Sequence, residues 1–347
     1  MAEITIKDIA NLCGVGVSTV SRAINNHPDI NPETKQMIMQ VIGEHGFVPN
    51  NSARNLKRVE ANSIAVLAKG ITNPMFTDMI KVIEEETMKR KYSLVLHHVE
   101  SRENEVDVAL ELVKEKRLRG IIFLGGCFTH SEEKLRRLKV PFVFSTVGAG
   151  PEKLNENSYS HVSVDDRKES ERMTEYLISL GHRDIAIIAA KCEDLSVGSL
   201  RLQGYQDALK KHRLPYRAEL IGHLQDNLPE YSMINGYQVT KKLIASGAKF
   251  TALYAIADVL AIGACRALRE AGYRIPEDIS VAGFDGIELG EYFYPRLTTL
   301  RQPVEDMAMA TIDQLFDILE GDKEHKHLIL EGSLEIKEST SAISGSY

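Results

Sequence analysis

From residue 62 onward the chain alternates short apolar runs with segments of helical period, and this alternation constrains the fold more than any other feature. Runs such as SIAVLA (63–68), YSLVLHH (92–98), RGIIFLGG (119–126) and PFVFSTV (141–147) are too short for helices, and most are rich in β-branched or aromatic residues. HVSVD (161–165), DIAIIAA (184–190), AELIGHL (218–224), TALYAIA (251–257) and DISVAGFD (278–285) continue the series. Most are followed by an amphipathic stretch, among them 74–90, 103–117, 166–180, 200–212, 232–246 and 258–271. Strand–helix alternation of this kind builds mainly parallel sheets covered by helices. Nine or more strands predict two doubly wound α/β subdomains over residues 62–347. Ligands of such folds sit beyond the carboxyl ends of the strands, here most naturally in a cleft between the two halves.

Residues 1–47 follow a different plan, three short helices with no strand. Thr5 stands as N-cap with Asp8 three residues on, and Ile6, Ile9, Ala10 and Cys13 give the first helix its apolar stripe. Gly14 permits a tight turn, and Val17–Asn25 then reads as a second helix with Val20, Ala23 and Ile24 inward. Asn31 caps the third, with Pro32 at its first position, Ile38, Val41 and Ile42 as core, and Gly46 as stop. Two helices joined by a short glycine-containing turn make a helix-turn-helix. Val17, Ser18, Ser21 and Arg22 then lie on the outer face of the second helix. Small hydroxyls let a helix sit deep in a major groove, and an arginine reaches guanine O6 and N7. The alternative is an ordinary solvated helix carrying one arginine.

Charge supports the first reading. The whole chain carries −7, yet residues 1–58 hold six Lys/Arg against five Asp/Glu, leaving 36 against 44 for the remainder. A basic-ended module on an acidic body points to nucleic-acid binding by the module alone. Residues 48–61 connect the two. Pro49 blocks helix continuation, and 51–58 can form two turns of helix, marginal in isolation, that fold when DNA supplies partners for Arg54, Lys57 and Arg58. Leu56 among these bases suits a wedge between base pairs of a minor groove. A flexible linker is the alternative.

No apolar run approaches the roughly 20 residues that span a bilayer, and no secretory leader is visible in MAEITIKDIANL, which predicts a cytoplasmic protein. Cys13, Cys127, Cys192 and Cys265 are far apart in mostly apolar surroundings, as buried thiols rather than metal ligands are. No dinucleotide fingerprint follows the first body strand, which runs into LAKGITNPM, and neither a P-loop nor a GxSxG elbow is present. We expect no catalysis, no cofactor and no metal. Lys69, at the carboxyl end of the first body strand, predicts attraction for an anionic ligand such as a hexuronate or sugar phosphate, with His97 and His98 assisting. Its alternative is an outward ammonium paired with an acid. Asn73, Met75 and Phe76 read as a following loop that closes the cleft.

The segments TIKDIANLCGVGVSTVSRAINN, VPNNSARNLK, GHRDIAII, RLQGY, DISVAGFDG and LTTLRQP, in this order, resemble the lactose-repressor (LacI) family of bacterial transcription regulators across the whole chain. The resemblance implies a helix-turn-helix head (1–47), a hinge helix and linker (48–61), and a periplasmic-binding-protein-like body (62–347) that dimerises and binds a small-molecule effector. It implies a homodimer on a pseudo-palindromic operator, with Val17, Ser18 and Arg22 reading bases and Thr5, Thr19, Ser21 and Asn25 touching phosphates. Ala53 and Leu56 match the family's minor-groove residues. In the cleft, Arg201 matches an arginine that donates to sugar hydroxyls, and Asp285 a carboxylate that accepts from them. Tyr231 matches an aromatic platform, and Asp258 follows Ala257, where some sugar-binding relatives carry an asparagine. Arg201 paired with a nearby acid, and Asp285 as a turn residue before Gly286, are the structural alternatives. The expected function is sugar-controlled repression. Control by a phosphorylated protein partner and a sugar-binding transport protein are the competing functions.

Overall fold

The computed structural model describes residues 4–47, 62–100, 103–126, 132–147, 155–190, 196–321 and 324–343. The chain divides into two compact units, Met1–Val59 and Glu60–Tyr347.

The first unit contains α1 (Ile6–Leu12), α2 (Val17–Ile24) and α3 (Pro32–Glu44). Thr5 and Asp8 form the reciprocal cap that their spacing predicts: Asp8 N donates to Thr5 Oγ1 at 3.4 Å and Thr5 N to Asp8 Oδ2 at 2.8 Å. These bonds hold the Asp8 carboxyl below its ordinary range. Gly14 adopts φ +64°, a left-handed conformation that glycine reaches without strain, and so turns the chain from α1 into α2. Asn31 Oδ1 accepts from the backbone of Glu33 and Thr34 at the start of α3. Ile9, Ala10, Val20, Ala23 and Ile38 close a small core, with Ile24, Val41 and Ile42 packed against it.

The second unit holds two six-stranded sheets. One is ordered β11-β5-β4-β3-β1-β2, with β1 Ser63–Lys69, β2 Ser93–Val99, β3 Gly120–Leu124, β4 Phe142–Ser145, β5 Ser160–Val164 and β11 His327–Leu330, all parallel. The other is ordered β12-β10-β9-β8-β6-β7, with β6 Ile185–Ala189, β7 Ile221–His223, β8 Ala252–Ala255, β9 Ser280–Asp285, β10 Thr298–Arg301 and β12 Ser333–Glu335; only β12 runs antiparallel. β3, β4, β5, β6, β8 and β9 are buried at every position, as strands covered on both faces must be.

The chain crosses between the sheets three times: from β5 into the helix Asp166–Ser179, from β10 into the helix Val304–Glu320, and from β11 to β12. The helix Val304–Glu320 thereby returns to the first sheet, where it packs on the helix Pro74–Lys89 and on β3 and β4. Among the described residues no helix is long and apolar enough to cross a membrane.

Candidate nucleic-acid face and ligand cleft

On α2 the structure separates the two faces that the sequence predicts. Val20 and Ala23 are fully buried, whereas Val17, Ser18 and Arg22 are exposed. Thr19 and Ser21 are half-buried, and Thr5 and Asn25 are exposed. A 41% exposed valine beside an exposed serine leaves a low surface at the start of α2. No ion pair engages Arg22 among the described residues, so its guanidinium stands available. Asn25 differs: its side-chain amide donates to the Ser21 carbonyl at 2.5 Å and closes the end of α2. Ala53, Arg54 and Leu56 lie outside the described residues.

In the body a cleft of about 650 Å³ opens between the two sheets at the carboxyl ends of their strands. Its inner end is built around Arg201, on the helix Val197–Lys211. The guanidinium donates from Nε to Asp166 Oδ1 at 2.8 Å, and from Nη1 to the Ile256 carbonyl at 2.5 Å and to Asp285 Oδ1 at 3.4 Å. It lies 3.7 Å above the Phe284 ring centre. Burial works against its charge, but Asp166 and Asp285 outweigh this and hold the proton more tightly than usual. Arg201 therefore both pairs with acids and lines the cleft; the two readings of this residue are not exclusive.

Asp285 ends β9 with φ +114°, a conformation that costs a non-glycine residue about 1–3 kcal/mol and is retained chiefly at functional sites. Besides Arg201, its carboxylate accepts from Gln302 Nε2 at 2.8 Å and from Asn73 Nδ2 at 2.8 Å. Burial raises its pKa, and the Arg201 charge opposes the rise. Gln302 sits at the second crossing, so the three donors reach Asp285 from both subdomains and from the crossing between them.

Three expectations change. Asn73 does end the loop, where it caps the helix Pro74–Lys89 with Oδ1 accepting from Met75 N at 3.1 Å, but Met75 and Phe76 form the first turn of that helix. Both are largely buried and form part of the cleft wall, Phe76 packing beside Gly70 and Gly125. Asp258 is fully buried behind the cleft and is not part of its lining. It accepts from Gly286 N at 2.8 Å, Ile287 N at 2.9 Å and Thr299 Oγ1 at 2.6 Å, and so fixes the turn after Asp285. Burial and the neighbouring Asp285 charge push Asp258 up to about 8.

Lys69 does line the cleft, but its ammonium bonds Glu105 Oε2 at 3.2 Å and the Glu103 carbonyl at 2.9 Å. Of the two histidines, His98 is in the lining and His97 is not.

Tyr231 closes one wall, and Thr72 Oγ1 donates to its carbonyl at 3.0 Å across the cleft. Its hydroxyl and that of Ser196 are buried and have no hydrogen-bond partner among the described residues, although both residues line the cleft. Sequence reasoning missed Ser196, Gln302, Thr72 and Glu105. Among the described lining residues, six are acids (Glu100, Glu103, Glu105, Asp226, Glu230, Asp285) and two are permanent cations, Lys69 and Arg201.

Comparison with known proteins agrees with this architecture. Residues 5–50 match the family described as bacterial regulatory proteins, lacI family, and residues 174–340 match a periplasmic binding protein-like domain. The HTH-type transcriptional regulator MalR of Clostridium butyricum is 38% identical over 336 residues, 96% of this chain and 98% of that one. The probable HTH-type transcriptional repressor ExuR of Bacillus subtilis (strain 168) is 30% identical over 336 residues, 95% of this chain and 96% of its own. Among solved structures, the transcriptional regulator CelR–cellobiose complex superposes with a TM-score of 0.70 at 27% identity, covering 97% of this chain and 99% of that one. With a helix-turn-helix head, a two-sheet body crossed three times and relatives similar over nearly their full length, the chain belongs to the lacI family of bacterial regulatory proteins.

Proposed function

We propose that this protein is a cytoplasmic, homodimeric repressor whose grip on a pseudo-palindromic operator is controlled by a neutral carbohydrate bound in the cleft of the body. The observation that carries the ligand class is the Arg201–Asp285 pair in a cleft lined by six carboxylates and two cations. A sugar hydroxyl both donates and accepts, so a guanidinium beside a carboxylate answers it fully. An anionic sugar would meet a negative field, and the ammonium of Lys69 already neutralises Glu105. The cellobiose in the CelR complex is likewise an uncharged sugar.

On the head, Val17, Ser18 and Arg22 are assigned to base edges, and Thr5, Thr19 and Ser21 to phosphates. Asn25 acts by closing α2 and presenting its end. Effector binding shifts the two subdomains and weakens operator binding; by linkage, operator weakens effector binding by the same factor.

A thermal-shift panel of neutral sugars, hexuronates and sugar phosphates tests the reading. A sugar at 100 times its dissociation constant stabilises the body by about 2.7 kcal/mol. We expect the shift from neutral sugars. A shift from anionic sugars alone would contradict the proposal.

A further inference from the structure

We infer that the Lys69–Glu105 pair is a second sugar subsite, so that the effector is a neutral saccharide of at least two pyranose units. The inference rests on the carbohydrate reading above and adds the size of the ligand.

The pair lies in the cleft at the end of β1 and the start of the helix Glu105–Lys116. The Lys69 side chain is 17% exposed and Glu105 is almost wholly buried, so an ammonium and a carboxylate meet where solvent is scarce. The backbone is shaped to admit them. Gly125 and Gly126 follow β3 with φ +75° and +102°. A Cβ on Gly126 would stand 2.6 Å from Glu105 Oε1, and one on Gly125 would stand 2.4 Å from the Lys69 carbonyl. Gly126 thus clears the space that the Glu105 carboxylate occupies, and Gly125 that of the Lys69 backbone and the Phe76 ring.

Chemically the pair repeats the inner end of the cleft. Arg201 donates beside the accepting Asp285; Lys69 donates beside the accepting Glu105. Each arrangement suits a vicinal diol, which needs both functions at once. Asn73 and Phe76, from one helical turn, stand with the inner pair and between Gly70 and Gly125 respectively, giving an apolar face beside the two polar ends. A cleft of 650 Å³ lies in the middle of the range of small-molecule sites, with room beyond a single ring. A purely structural role, tying β1 to the next helix, makes a different prediction and is separable.

The test is calorimetric titration of the full-length protein with glucose, galactose and mannose, and with maltose, cellobiose and lactose. We expect one disaccharide to bind at least about tenfold tighter than any of the monosaccharides. Lys69→Met and Glu105→Gln, tested separately, should each weaken that disaccharide by about tenfold, while monosaccharide affinity stays within about twofold. Retained monosaccharide binding shows that the variants are folded. Equal binding of monosaccharides and disaccharides would overturn the inference and leave the carbohydrate reading intact. Variants that weaken both sugars equally, or neither, would assign the pair a structural role and overturn it too. Failure of all six sugars to bind would overturn both.

Discussion

Asn73 and Asp285, 212 positions apart in the chain, are joined by a 2.8 Å hydrogen bond from the N-cap of a helix on one sheet to the last residue of a strand in the other. The same asparagine caps its own helix with the other end of its amide. The bond makes the cleft's state legible at a single contact, because anything that competes for the Asp285 carboxylate also bears on the link between the subdomains.

Replacing Asp285 by Asn keeps the shape of the side chain and removes its charge. Arg201 retains Asp166 as partner, so the fold should survive. Effector affinity should fall by about 10- to 100-fold, the loss expected for charge-assisted bonds, while operator binding without effector persists. Isothermal titration with the effector and fluorescence anisotropy with DNA measure the two separately.

Arg22→Ala should weaken operator binding by about 1–3 kcal/mol and relax base preference at the position it contacts, whereas Ser21→Ala should weaken all sequences alike. The contrast is read by anisotropy titrations on the operator and on single-base variants at fixed salt. Uniform loss from Arg22→Ala would move that side chain from a base to a phosphate.

Gly236 and Gly263 allow the helices Met233–Ala245 and Asp258–Glu270 to approach closely: a Cβ on Gly263 would meet the Met233 carbonyl at 2.0 Å, and one on Gly236 the Leu260 carbonyl at 2.2 Å. Alanine favours helix by about 1 kcal/mol over glycine, yet neither carbonyl can move without parting the helices. Gly263→Ala should therefore destabilise the body by about 1–3 kcal/mol in urea denaturation.

His161 on β5 is buried, with Nδ1 2.6 Å from Nδ1 of His327 on β11, and burial followed by the charge of His327 lowers its pKa to about 4. A depressed histidine pKa means that the unfolded chain binds the proton first. The stability it confers is present above about pH 6.5 and is lost as pH falls through 4, amounting to at most about 3 kcal/mol. His161→Gln should flatten the fall in stability between pH 6.5 and 4, measured by denaturation at half-unit steps.

Much of the fold was legible because parallel strands covered on both faces must be continuous apolar runs, and each of the nine runs read from the sequence contains a strand, though the run 218–224 opens with a 3-10 turn at Ala218–Leu220. β10, β11 and β12 were not read. They are three or four residues long, too short for a pattern to show, and β11 is largely exposed and β12 mostly half-buried. The return of Val304–Glu320 to the first sheet follows from the crossings, which no local pattern encodes.

The site divides in the same way. Arg201, Asp285 and Tyr231 were found through their motifs and line the cleft. Asp258 was misplaced because a carboxylate at a helix start looks the same whether it faces a ligand or, as here, the backbone N–H groups of a distant turn. Lys69 was located correctly, but its partner Glu105 lies 36 residues on and only the fold brings them together.

In the proposed function a neutral sugar in the cleft governs the head's hold on DNA. This control is tested most directly by anisotropy of labelled operator, recovered by in vitro selection, bound to the full-length protein and titrated with the sugar that gives the largest thermal shift. Operator affinity should fall by roughly 5- to 150-fold as the sugar saturates, and Asp285→Asn should shift this response to higher sugar concentration. Operator affinity that stays constant while the sugar demonstrably fills the cleft would contradict it.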